Sequence, residues 1–181
     1  MSIRTRSYGT MADLDLIILG SLLGMPAHGY QLKQNIELTY GKRYVNLSNS
    51  RLYPRLSKLE ADGYIEGKRE PQEKVPDRKT FHVTPAGIER LKELVATPLG
   101  PREDEFDFLA RASFFGLITA DERRKIIEPL YQAKVNELAE ARKKREQFGQ
   151  YMDKFSLAVL DYGIAAIGNT VEMYRKLLDA E

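Results

Sequence analysis

The chain has 181 residues, 43% of them hydrophobic, with 28 Lys and Arg against 26 Asp and Glu and no cysteine. That length and apolar content suffice for one compact domain or two small ones, and the missing thiols exclude disulfides, thiolate catalysis and thiol redox sensing. Residues 1–100 hold 15 Lys and Arg against 11 Asp and Glu, whereas residues 101–181 hold 13 against 15, so the basic excess lies in the first half.

Residues 1–12 read as a loose arm with no apolar run of signal-peptide form. The most apolar stretch, Leu14 to Met25, is too short to span a bilayer. A cytoplasmic protein with no membrane partner is expected. Asp13 can cap a helix whose residues Leu14, Leu16, Ile17, Ile18, Leu19, Leu22 and Leu23 are apolar all round, which predicts burial on most sides. Gly24-Met25-Pro26 ends it, and His28-Gly29-Tyr30 opens a second helix carrying Leu32, Ile36 and Tyr40 before Gly41 stops it.

The next helix, capped by Ser48 or Ser50, is the most informative element. Leu52, Leu56 and Leu59 fall on one face at helical spacing, and Ser50, Arg51, Pro54, Ser57 and Lys58 on the other. Pro54 is comfortable only in a first turn, so a short, irregular start with Pro54 close to it is expected. Small polar and cationic side chains on the exposed face suit phosphates and base edges. The competing reading is an ordinary solvated helix face, and the flanking segments decide between them. Tyr64 to Arg69 and Arg78 to Thr84 read as two strands, with Phe81 and Val83 inward, around a tip holding Pro71 and Pro76. Lys68, Arg69, Lys74, Arg78 and Lys79 surround this basic hairpin. A helical pair followed by such a wing predicts a winged helix-turn-helix.

The candidate DNA-binding residues are therefore Asn49, Ser50, Arg51, Tyr53, Pro54, Arg55 and Lys58 on the helix and Lys68, Arg69, Lys74, Arg78 and Lys79 on the wing. Arg51, near the helix start, is the best placed for bidentate guanine contact. Tyr53 can either pack its ring or give its hydroxyl to a phosphate. His28 reads as a cap or packing residue. With two histidines and no cysteine, neither a metal site nor a cofactor is expected, and no phosphate loop or nucleophile elbow suggests an enzyme.

Pro85 opens a fourth helix with Ile88, Leu91, Leu94 and Val95 on its apolar face, and the run Thr97 to Pro101 breaks the chain. The expected organisation is a DNA-binding domain over 1–97 including the arm, a linker at 98–101 and a helical domain over 102–181. Thr119 and Glu122 form a helix-start signal. In the last helix Leu157, Leu160, Ile164, Ile167, Val171, Tyr174 and Leu178 make a seam with three- and four-residue steps. A second stripe holds Val159, Gly163, Ala166, Thr170, Met173 and Leu177. Two stripes need two partners: the preceding long helix and the same region of a second chain. Homodimerisation is expected there. Phe106, Phe108, Phe114, Phe115 and Tyr131 either pack as core or line an effector pocket; Phe106, Phe114, Phe115 and Tyr131 are its candidates.

Pro26-x-His28-Gly29-Tyr30, then Leu52-Tyr53-Pro54 through Leu59-Glu60 and Gly63, then Arg78-Lys79 and Thr84-Pro85-x-Gly87, resemble the second-helix entry, recognition helix and wing exit of the PadR family of bacterial transcriptional regulators. Phe81 stands where the family usually has tyrosine. The second half is similar, by helical pattern, to the AphA-like subfamily with a long helical C-terminal domain. The resemblance implies a mainly α fold with a small β-hairpin. It implies a transcriptional regulator, usually a repressor, that answers in some members to a small molecule, phenolic acids among them. The combined expectation is a homodimer on an inverted-repeat site in double-stranded DNA. The alternative is a helical interaction module whose winged helix binds protein.

Overall fold

The computed structural model describes residues 13–42, 45, 47–70, 78–98, 100 and 105–180, with the backbone alone at Glu70 and Arg78. The expected arm, Lys74, and Leu99 and Pro101 of the expected linker lie outside them. Seven helices and three strands follow in the order α1 (Leu14–Gly24), β1 (Ala27–His28), α2 (Gly29–Tyr40), α3 (Asn49–Ala61), β2 (Ile65–Glu70), β3 (Arg78–Val83), α4 (Pro85–Ala96), α5 (Glu105–Ala112), α6 (Ala120–Phe148) and α7 (Lys154–Asp179) among the described residues. The fold is mainly α with one small antiparallel sheet, ordered β1-β3-β2.

The chain divides into two compact units after Ile118. In the first, α1 is the central rod. Asp13 caps it by accepting from Asp15 N at 3.0 Å, and Leu16, Ile17, Ile18, Leu19 and Leu22 are all buried. It packs on α2, α4 and β3. Leu32 and Ile36 of α2, Leu52, Leu56 and Leu59 of α3, and Leu91, Leu94 and Val95 of α4 complete the core.

β1 was not legible as a strand, being only two residues long. Ala27 lies opposite Phe81 and His28 opposite Thr80, so the hairpin's inner strand has a partner on each edge. Pro54 also departs from expectation. α3 runs regularly from Asn49, with Pro54 in its second turn. Pro54 supplies no donor to the Ser50 carbonyl, but Ser50 is exposed and water can serve it.

The segment after the proline break belongs with the first unit rather than opening the helical one. The Phe106 ring meets Tyr40 edge-on at 5.9 Å, the Phe114 ring lies over Gly20 of α1, and buried Arg111 donates to the Thr97 carbonyl. Phe108 and Phe115 stack edge-to-face at 5.9 Å. Burial raises the Tyr40 hydroxyl pKa above its ordinary value.

The second unit is an antiparallel-type helical pair, α6 and α7, joined by a 3-10 turn at Gly149–Tyr151. The expected capping box opens α6: Glu122 N donates to Thr119 Oγ1 at 3.3 Å and Thr119 N to Glu122 Oε2 at 2.8 Å. Asp153 caps α7 through Phe155 N and Ser156 N. Ile126, Ile127 and Leu138 of α6 and Tyr174 of α7 are buried, and Arg145 Nε of α6 donates to Asp161 of α7 at 3.0 Å. Among the described residues no helix is long and apolar enough to cross a membrane.

The exit of the wing is fixed by one hydroxyl. Thr84 Oγ1 donates to the Gly63 carbonyl at 2.7 Å and accepts from Gly87 N at 3.1 Å, capping α4 and tying it to the end of α3. A Cβ at position 87 would collide with the Tyr64 carbonyl oxygen. Gly87→Ala should therefore lower stability by about 1–3 kcal/mol, the usual cost of overpacking. A thermal melt that matches the parent would refute this account of the motif.

Candidate nucleic-acid interface

Burying three leucines of α3 turns its opposite face outward. Asn49, Ser50, Arg51, Tyr53, Pro54, Ser57 and Lys58 are all exposed. Ser48 and Ser50 bond each other through their hydroxyls at 2.9 Å. Ser48 makes no side-chain cap bond, so the Asn49 and Ser50 N–H groups at the start of the helix stay open to an anion. Arg51 projects from this turn, and its own N–H is bonded to the Ser48 carbonyl at 3.1 Å.

Tyr53 is held by the second helix. A Cβ at position 29 would stand 2.8 Å from its ring and 3.0 Å from its hydroxyl. Gly29 is thus the residue that lets the phenol lie against the start of α2, while Tyr53 remains 45% exposed. The His28-Gly29-Tyr30 and Leu52-Tyr53-Pro54 motifs are two sides of one contact. Tyr53 thus packs against Gly29 while about half of the residue stays exposed.

Arg55 is different from its neighbours. It turns back from the exposed face and makes a bidentate ion pair with Asp15 of α1, which is 9% exposed. That hydrogen bonding raises the guanidinium pKa above its ordinary value. The pair anchors α3 to the central rod. Lys79 is likewise engaged, its Nζ 2.6 Å from Glu60 Oε2, and Lys68 is paired with Glu66 at 2.8 Å. The Lys68 ammonium holds the exposed Glu66 carboxyl below its usual pKa. Arg69 is exposed. Lys74 and the Arg78 side chain lie outside the described residues.

Tyr30 and Glu60 escaped the sequence reading. Tyr30 is 63% exposed in the first turn of α2, and Gln34 Nε2 donates to its hydroxyl at 3.1 Å. With Tyr53, Ser57, Glu60, Lys79 and Phe81 it borders a cleft of about 330 Å³. The His-Gly-Tyr motif was the available signal for Tyr30. Nothing local in the sequence marks Glu60 as a partner of the wing.

The candidate effector residues are divided between the two units. Phe106, Phe114 and Phe115 each pack inside the first unit as described, and Tyr131 belongs to α6 of the second. In α7 the seven seam residues are half-buried, Tyr174 fully so. A neighbouring stripe is bare: Phe155 and Val159 are each 71% exposed and Tyr162 77%. Among the described residues no three His, Asp or Glu side chains converge as metal ligands would.

Residues 18–93 match the transcriptional regulator PadR-like family. No curated protein matches the chain. Among solved structures, a PadR-like transcriptional regulator from Bacillus cereus strain ATCC 14579 is 30% identical over 45% of this chain and 76% of its own, with TM-score 0.38. A transcriptional regulator from Clostridium thermocellum is 31% identical over 44% of this chain and 76% of its own, with TM-score 0.41. Bacillus subtilis PadR in complex with operator DNA is 19% identical over 93% of this chain and 97% of its own, with TM-score 0.45.

The two arginines of α3 should separate in a stability assay. Arg55→Ala should cost about 1.5–3 kcal/mol, the range for hydrogen bonds to charged groups. Arg51→Ala should stay within about 0.5 kcal/mol of the parent, as exposed substitutions do. Equal denaturation midpoints for the two variants would remove the anchoring role of Arg55.

Proposed function

The chain belongs, through its domain at residues 18–93, to the PadR-like family of transcriptional regulators, and from that premise we propose that it is a homodimeric repressor reading an inverted repeat in double-stranded DNA. The observation that carries this reading is the division of α3. Its leucines are sealed in the core, and Ser50, Arg51, Tyr53, Ser57 and Lys58 stand exposed beside a hairpin bearing Lys68 and Arg69. A second copy would cover α7, where Phe155, Val159 and Tyr162 leave an apolar stripe beside the half-buried seam. A bare stripe of that kind marks an association surface. Repression, and any control by a small molecule, follow from the family likeness. The proposal is that of a regulator rather than an enzyme.

Sequencing the duplex fragments retained by the purified protein tests the reading and gives its site. Binding should fall steeply with salt, as phosphate contacts do; a protein that retains no duplex at low salt is a protein-binding module instead. On the recovered site, Arg51→Ala should lose about 1–3 kcal/mol of discrimination against the altered base pair. If specific and random affinities fall equally, Arg51 contacts phosphate only.

Val159→Asp with Tyr162→Asp should yield monomers in sedimentation with helicity kept, because the assembled face would have to bury unpaired charges. An unchanged dimer excludes this stripe. The two-fold symmetry of a dimer places half-sites roughly 10 bp apart or a multiple of it. Inserting about five base pairs between them, half a turn, should sharply weaken binding. Equal footprints on both sites would exclude the symmetric geometry.

A further inference from the structure

Glu60 sits at the last turn of α3, where the recognition helix meets the wing. Its Oε1 accepts from Gly67 N of β2 at 3.2 Å and its Oε2 from Lys79 Nζ of β3 at 2.6 Å. One carboxylate therefore grips both strands of the hairpin. Gly67 leaves the space for this grip: a Cβ there would collide with the Lys79 side chain and lie 2.7 Å from Glu60 Oε1. The Lys79 ammonium also lies 5.4 Å from the centroid of the Phe81 ring, which limits its swing.

The stability of the pair does not explain this arrangement. The Lys79 and Glu60 side chains are 41% and 32% exposed, and ion pairs in such surroundings contribute only about 0–1 kcal/mol. Its position is more telling. Glu60 and Lys79 border the same cleft as Tyr53 and Ser57 of the exposed face of α3. Resting on the DNA-binding reading above, we propose that Glu60 is a specificity-determining residue: it fixes the wing against the recognition helix and withholds Lys79 from the phosphates. Non-specific affinity comes almost entirely from cation–phosphate contacts. A cation held by a carboxylate releases no counterion, and the carboxylate itself repels the backbone. The pair thus limits binding to random duplex, while the fixed wing keeps its place on the true site.

The test measures affinity against salt on a random-sequence duplex of about 30 bp, long enough for two half-sites a turn or two apart, with a duplex selected by the protein from a random pool alongside. Glu60→Gln keeps the shape and removes the charge. It should steepen the salt slope on random duplex by about 0.9, one phosphate contact, and raise low-salt affinity roughly threefold, the share of one contact. The ratio of selected to random affinity should fall. Lys79→Gln in the parent should leave the slope unchanged, and adding it to Glu60→Gln should return the slope to the parent value. The proposal is overturned if Glu60→Gln leaves the slope where it was, if the steeper slope survives in the double variant, or if Lys79→Gln alone flattens the slope by about 0.9. A parent protein that binds neither duplex refutes the regulator reading instead, so the two failures are distinct.

Discussion

A recognition helix must bury one face completely and leave the other uncovered, and here that constraint falls on Leu52, Leu56 and Leu59. Three buried leucines fix how α3 is rolled but hold it only loosely along its axis, because hydrophobic burial has no direction. The directional contacts supply the rest. Arg55 ties the middle of α3 to Asp15 at the start of α1. Tyr53 seats its ring in the gap left by Gly29 at the start of α2. Glu60 ties the last turn to both wing strands. Three neighbours each take one contact from the same helix, so the exposed residues between them are presented at a fixed height and angle.

What the sequence disclosed follows the range of the interactions. Spacing of apolar residues and helix caps are local, and the leucine stripe, the Asp13 cap and the Thr119–Glu122 box were all legible. So was the exposed face of α3, which is simply the complement of its buried one. The ion partners were not legible. Arg55 and Asp15 are forty residues apart, Lys79 and Glu60 nineteen, and no periodicity links them. Hence Arg55 and Lys79 stand beside Arg51 among the candidates by sequence, although the fold engages their charges. The Thr-Pro-x-Gly and His-Gly-Tyr motifs were legible as motifs, but their physical reasons lie in contacts with Tyr64 and Tyr53 that only the fold supplies.

The helical unit shows the same distinction between pattern and partner. Two apolar stripes on α7 were apparent from their spacing, and burial does not separate them: Gly163, Thr170, Met173 and Leu177 of the second are half-buried like the seam, and the bare residues at the start of α7 were not legible as a set. The seam from Leu157 to Leu178 is half-buried within the chain, whereas Phe155, Val159 and Tyr162 stand in solvent. A face with two large aromatics exposed is costly to leave in water and cheap to cover. The four- and three-residue steps from Phe155 through Val159 to Tyr162 suit helix against helix, in keeping with the proposed second copy of α7 as the covering surface.

Charge completes the argument. A nucleic-acid reader gains affinity from every free cation, and this one engages several. Lys68, Lys79 and Arg55 each have a carboxylate partner. The effective positive charge at the interface is therefore smaller than the count of Lys and Arg suggests. Random duplex would be bound weakly for a domain of this basicity, and discrimination would fall to the side chains that remain uncommitted, Arg51 and Lys58 on α3 foremost. Such a design would give up raw affinity for contrast between sites, and in the proposed dimer duplication of the domain would restore tight binding only where two half-sites coincide.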